Sequence, residues 1–124
     1  MSMTDTDLKV IVKAKELAEH SFRLTSNCNR YPKKYRHSLV DRIQLKSLDL
    51  HDLLLEANRI SNVTHRRERC EMITKAITIC DELLFYIELS MKLGLLADKS
   101  AEYWSQMVRD VKYMSLAWRT KERK

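Results

Sequence analysis

The chain is poor in everything that interrupts a helix. Its 124 residues include one glycine and one proline. An all-β domain needs many more turn residues and is excluded. A single glycine also cannot build either of the glycine-rich phosphate-binding loops. Cysteine is scarce: Cys28, Cys70 and Cys80 are an odd count with no CxxC, which suits a reducing compartment. Long apolar runs are missing. The most apolar stretch, 77–96, contains Asp81, Glu82, Glu88 and Lys92, so no membrane span is expected. The first residues have neither a basic region nor an apolar core, so no signal peptide is expected and the expected location is the cytoplasm.

Catalytic and metal-binding patterns are missing too. A carboxylate-bridged di-metal bundle needs an ExxH motif on each of two helices. Glu16 and His20 are four apart, Glu16 and Glu19 three apart, and no ExxH occurs. There is no HExxH, and the serines lie on helices without a nucleophile elbow. Helical geometry points His51 away from Asp49 and Asp52. The expectation is a protein that is not an enzyme, with no metal and no cofactor.

What is present is helical. Leu, Lys, Arg, Glu, Met and Ala are abundant, and 44% hydrophobic content excludes a disordered chain. One domain of ordinary size follows from the length. Apolar residues at helical spacing predict four helices, about 6–24, 33–61, 65–93 and 99–119, with a basic tail at 119–124. The first carries Leu8, Ile11, Leu17, Ala18 and Phe22, with Asp5 or Thr6 as cap. The second carries Leu39, Ile43, Leu50, Leu53, Leu54, Ala57 and Ile60. The third, capped by Thr64, carries Ile73, Ala76, Ile77, Cys80, Leu84, Ile87 and Met91. Gly94 falls where a left-handed residue closes a helix. The fourth begins near Asp98 or Ser100 and carries Tyr103 or Trp104, then Met107, Val108, Val111, Met114 and Trp118. Helices of this length with short connections predict an all-α fold, an antiparallel up-down-up-down four-helix bundle.

Leu45, Leu48 and Leu55 fall opposite the main stripe of the second helix at 100° per residue. Ile79, Leu83, Phe85, Tyr86 and Leu89 lie beyond the main stripe of the third. A second apolar face points to self-association through Leu45, Leu48, Leu55, Leu83 and Tyr86. A wide stripe with scattered exposed leucines is the simpler alternative.

Net charge is +6 and the isoelectric point is about 9.3. The cations cluster. Arg30, Lys33, Lys34 and Arg36 surround the only proline, at the start of the second helix, where the helix dipole prefers acids. The expected compensation is an anion, and nucleic-acid backbone is the commonest large one. Arg59, Arg66, Arg67 and Arg69 form a second cluster around the turn into the third helix. Arginine pairs phosphates through a planar fork and stacks on bases. A solubilising surface, partly neutralised by Glu68 and Glu71, is the alternative. Asp41 and Arg42 could equally form structural ion pairs with residues of other helices.

At these residues a resemblance emerges. Tyr31-Pro32-Lys33, Arg36, Leu39 and Asp41-Arg42-Ile43 come first. Leu53-Leu54-Leu55-Glu56-Ala57-Asn58, Leu93-Gly94-Leu95-Leu96, Tyr103 and Trp118 follow in order. Together they resemble the accessory variability determinant (Avd) proteins of diversity-generating retroelements, over 31–118. Four-helix proteins encoded in ribosomal RNA intervening sequences are a sister group with a similar motif, and a stand-alone RNA-binding or interaction module of that type is the alternative reading. Helix 1 matches by pattern only, and Ser115-Leu116-Ala117 stands where the family has a glycine-containing step. The resemblance implies a ring-like homo-oligomer, a pentamer, with a basic surface and no active site of its own. It implies binding to a reverse transcriptase and to template RNA or DNA, in support of mutagenic retrohoming directed at adenines. By the motif, Lys33, Arg36 and Arg42 would contact nucleic acid. Arg30, Lys34, Arg59, Arg66, Arg67 and Arg69 join them by charge.

Overall fold

The computed structural model describes residues 5–123. The expected cap at Asp5 or Thr6, the core position of Leu8 and the last tail residue, Lys124, lie outside the described residues and side chains. Four α-helices form: α1 Asp5–Thr25, α2 Asp41–Arg59, α3 Arg66–Lys92 and α4 Asp98–Glu122. No strand occurs among the described residues. Among the described residues no helix is long and apolar enough to cross a membrane.

Each helix packs against its sequence neighbour, and α1 also meets α4, which closes a four-helix bundle. Leu17, Ile43, Leu50, Leu54, Ile73, Ile87 and Val108 are fully buried at its centre. Two tryptophans anchor the core. Truncating a residue of this size in a core typically costs about 3–5 kcal/mol. Trp104 is buried and Tyr103 is exposed, which settles the fourth stripe. Trp104 Nε1 donates to Ser21 Oγ at 3.0 Å, and that hydroxyl donates to the Leu17 carbonyl at 2.8 Å. The indole is therefore buried with its polar atom satisfied. Further cross-helix ties run from Gln44 Nε2 to Thr25 Oγ1 (3.0 Å), Lys46 to Glu82 (2.9 Å) and Lys112 to Asp81 (2.7 Å). The carboxylate beside each lysine raises its pKa.

Several expectations need correction. The second helix does not start regularly at Lys33. A short 3₁₀ turn, Lys33–Tyr35, leads into a π turn, Arg36–Val40, and regular α geometry begins only at Asp41. The apolar spacing explains this. Tyr31, Tyr35, Leu39 and Ile43 recur every four residues and pack inward, three buried and Tyr35 partly so. An α-helix advances 3.6 residues per turn, so residues four apart drift by about 40° at each step. A wider i→i+5 turn, closed by Asp41 N–H to the Arg36 carbonyl, offsets that drift between Tyr35 and Leu39.

Thr64 does not cap α3. His65 holds the capping position without a side-chain bond, and the Ser61 hydroxyl accepts from the Val63 and Thr64 amides instead, each at 3.2 Å. His51 does reach Asp52, Nδ1 to Oδ1 at 3.0 Å. Leu53 and Leu84 are only half-buried, and Phe22 lies off the core. Gly94 has φ +78°. The Leu95 amide donates to the Ser90 carbonyl and the Gly94 amide to the Met91 carbonyl, which closes α3 as expected.

Leu83 is 1% exposed and belongs to the core, so it is not available to an oligomer interface. It continues the buried run Ile73, Ala76, Cys80 at i+3 and i+4 steps. Ile79 is buried as well. Leu55 and Tyr86 are half-buried against the core. Leu45 at 60% and Leu48 at 42% do stand in solvent, as does Phe85.

Candidate nucleic-acid interface

The first cationic region is built by the irregular entry into α2. Pro32 is extended, the short turns after it hold Lys33, Lys34 and Arg36 on the outside, and Arg42 follows in the first turn of α2, all four exposed. Arg30 is half-buried beside them. None of the five has a carboxylate within 4.0 Å among the described residues. Asp41 pairs with His37 one turn earlier (3.1 Å) and Arg42 has no carboxylate partner among the described residues, so neither makes the expected ion pair between helices. Lys34 Nζ lies 5.2 Å from the Tyr35 ring centre. Behind Lys33 and Arg36 the surface folds in as a cleft of about 310 Å³, between the end of α1 and the start of α2. Tyr31 is buried along its wall, which pushes its phenol pKa up.

The field of this region is felt nearby. His20 packs edge-on to Tyr103 (5.4 Å) and Trp104 (6.3 Å). Burial lowers its pKa below the usual 6.5, and Arg23 and Arg30 lower it further.

The second region gathers the start of α3 and the end of α4. Arg59, Arg66 and Arg67 are exposed. Arg67 Nε meets Glu71 Oε1 at 3.3 Å, while Arg59 and Arg66 have no carboxylate partner among the described residues. A groove of about 740 Å³ runs past Arg66, Arg67, Thr74, Lys75 and Arg123, with Cys70 in its wall. Lys75 was not legible as part of this site. It sits eight residues beyond Arg67 on one helix face, a spacing that could have found it.

Arg69 is the correction here. It is 2% exposed and does not belong to the surface cluster. Its Nη1 donates to the Ile60 carbonyl (3.2 Å), its Nη2 lies 3.4 Å from Glu122 Oε1, and its Cζ sits 5.0 Å from the Trp118 ring centre. Trp118 Nε1 donates to the same Glu122 oxygen at 3.1 Å. Arg69 lies one turn before Ile73 on the buried stripe of α3, so the helix carries it inward. Arg119 plays a related part, donating from Nη1 to Thr74 Oγ1 at 3.1 Å.

The three thiols differ in access. Cys28 is exposed in the cleft, Cys70 is half-buried in the groove, and Cys80 is buried, which pushes its pKa up to about 12. Among the described residues no three His, Cys, Asp or Glu side chains converge to hold a metal ion. Comparison of the chain with family models, with curated proteins and with solved structures gives no match.

Proposed function

We propose that this chain is a non-catalytic nucleic-acid-binding bundle, acting as an Avd-type accessory subunit that binds a reverse transcriptase and its template RNA or DNA. The observation that carries the reading is the group Lys33, Lys34 and Arg36 on the irregular turns with Arg42 at the start of α2, all exposed and without carboxylate partners among the described residues. Six of the described cations meet a carboxylate, Lys92 with Glu88 at 2.9 Å among them, and most of the others do not, so the weight lies on four exposed cations falling together between 33 and 42. Such a group supports phosphate binding, in which each neutralised phosphate releases counterions. The sequence resemblance supplies the polymerase and the retroelement.

Within this reading the bundle is antiparallel, up-down-up-down. Supporting it, the end of α1 meets the starts of α2 and α4 through Thr25–Gln44 and Ser21–Trp104, and the end of α4 meets the start of α3 through Glu122–Arg69. The cytoplasm is its place of action. Self-association, as the resemblance implies a pentamer, runs through Leu45 and Leu48. Light scattering tests that part: the paired change of both leucines to alanine lowers the assembly mass, and a wild-type monomer at micromolar concentration refutes it.

The test of the function is the native DNA flanking the gene. A neighbouring reverse transcriptase with two near-identical repeats that differ at adenines, and co-purification of the two proteins, is the expected result. A location within a ribosomal RNA gene with no polymerase nearby overturns the accessory role in favour of the stand-alone bundle.

A further inference from the structure

We infer that the cleft behind Lys33 and Arg36 is a pocket for one unpaired nucleotide, with its phosphate at the cationic mouth. The inference rests on the nucleic-acid reading above and deepens it. Size comes first. At about 310 Å³ the cleft lies at the lower limit of small-molecule sites, about 300–1,000 Å³. One monomer unit fits, and a duplex does not enter.

Chemistry comes second. Lys33 and Arg36 stand at the cleft without carboxylate partners among the described residues. Phosphate is the anion that a guanidinium fork and an ammonium bind best together. Pro32 and Val40 give an apolar wall for a base or sugar face. Asp41 and Gln44 also line the cleft. A carboxylate is out of place in a site for a bare polyphosphate. It suits a ligand that carries hydroxyl or amine donors next to its phosphate, as a nucleotide does. Asp41 is held by His37 (3.1 Å), and the Gln44 amide is oriented by its bond to Thr25 Oγ1 (3.0 Å). The Gln44 amide is therefore oriented before any ligand arrives, which lowers the cost of binding.

The three thiols make the test direct. The full chain is alkylated with N-ethylmaleimide, alone and with saturating single-stranded RNA, the same RNA as a duplex, or adenosine monophosphate, and each cysteine is followed by mass spectrometry. RNA binding is measured in parallel by fluorescence anisotropy. Cys28 reports the cleft, Cys70 the α3–α4 groove, and Cys80 is the inert reference. Single-stranded RNA is expected to slow Cys28 about tenfold, and Arg36→Ala to weaken that protection about tenfold, the size of one charge-assisted hydrogen bond. Duplex RNA leaves Cys28 unprotected. Protection by the mononucleotide as well assigns the site to free nucleotides in addition to strands. RNA bound with Cys70 protected and Cys28 unchanged overturns the pocket while the nucleic-acid reading stands. Equal protection by the duplex also overturns it. No RNA binding, with Cys28 unchanged by the mononucleotide, overturns both.

Discussion

Two cationic clusters look alike in the sequence and end differently in the fold. Around Pro32 the cations stay in solvent, because the chain there turns irregularly and directs its aromatic and aliphatic residues inward. At the start of α3 the chain is already a regular helix, so position on the helix decides each arginine's fate. Arg66 stays outside, Arg67 takes a neighbouring carboxylate, and Arg69 goes into the core against Trp118 and Glu122. A run of like charges therefore says little about free charge. The apolar stripe on which each residue falls says more.

The largest expected effect tests Arg69. Replacing it with alanine strands Glu122 in a nearly buried position and removes the bond to the Ile60 carbonyl. Loss of one partner of a buried ion pair costs about 3–5 kcal/mol, so urea denaturation should show a drop of about 3 kcal/mol. Arg36→Ala should change stability by no more than about 0.5 kcal/mol, as exposed positions do. Equal effects at the two positions would erase the distinction drawn between the clusters.

Gly94 gives a smaller effect away from both clusters. A Cβ there meets nothing within 4 Å, so only the backbone at φ +78° opposes a side chain. Gly94→Ala should cost about 1–2 kcal/mol by thermal unfolding. A neutral result would mean that the turn relaxes out of the left-handed region.

The smallest effect concerns His20, which senses the open cluster. Its pKa is held below 6.5, by burial first and then by Arg23 and Arg30. Between the lowered value and 6.5 the unfolded chain holds more protons at this site than the folded one. This contribution to stability is therefore fully present above pH 6.5 and is lost as pH falls through the folded pKa. His20→Gln should remove that part of the pH dependence. Arg30→Ala should move the His20 titration upward by NMR. An unmoved titration would show that the cationic region does not reach this imidazole.

Much of the fold was legible. Helix limits follow apolar periodicity, and α1, α3 and α4 begin and end within a residue or a few of their expected bounds. Gly94 closed its helix for the reason its chemistry suggests. The start of α2 was not legible in the same way. Propensity and a 3.6-residue period treat Lys33 as a good first helical residue, and only the four-residue recurrence of Tyr31, Tyr35, Leu39 and Ile43 marks a wider turn. The candidate site was legible in its charges and not in its shape. Cleft residues such as Thr25, Asp41 and Gln44 come from two helices, and no local pattern joins them. Leu83 departs from expectation because the buried run steps from Cys80 to Leu83 rather than to Leu84, and Arg69 because its charge hides its place on the same stripe.

The central claim is that the uncompensated cations around Pro32 bind nucleic-acid phosphates. Its most direct test is the affinity for single-stranded RNA measured against salt, in the wild type and in a Lys33→Glu, Lys34→Glu, Arg36→Glu variant. The account predicts a steep logarithmic slope for the wild type, made shallower by about 2 in the variant at about 0.7 for each cation. The same slope in both proteins, or wild-type binding indifferent to salt, would contradict it.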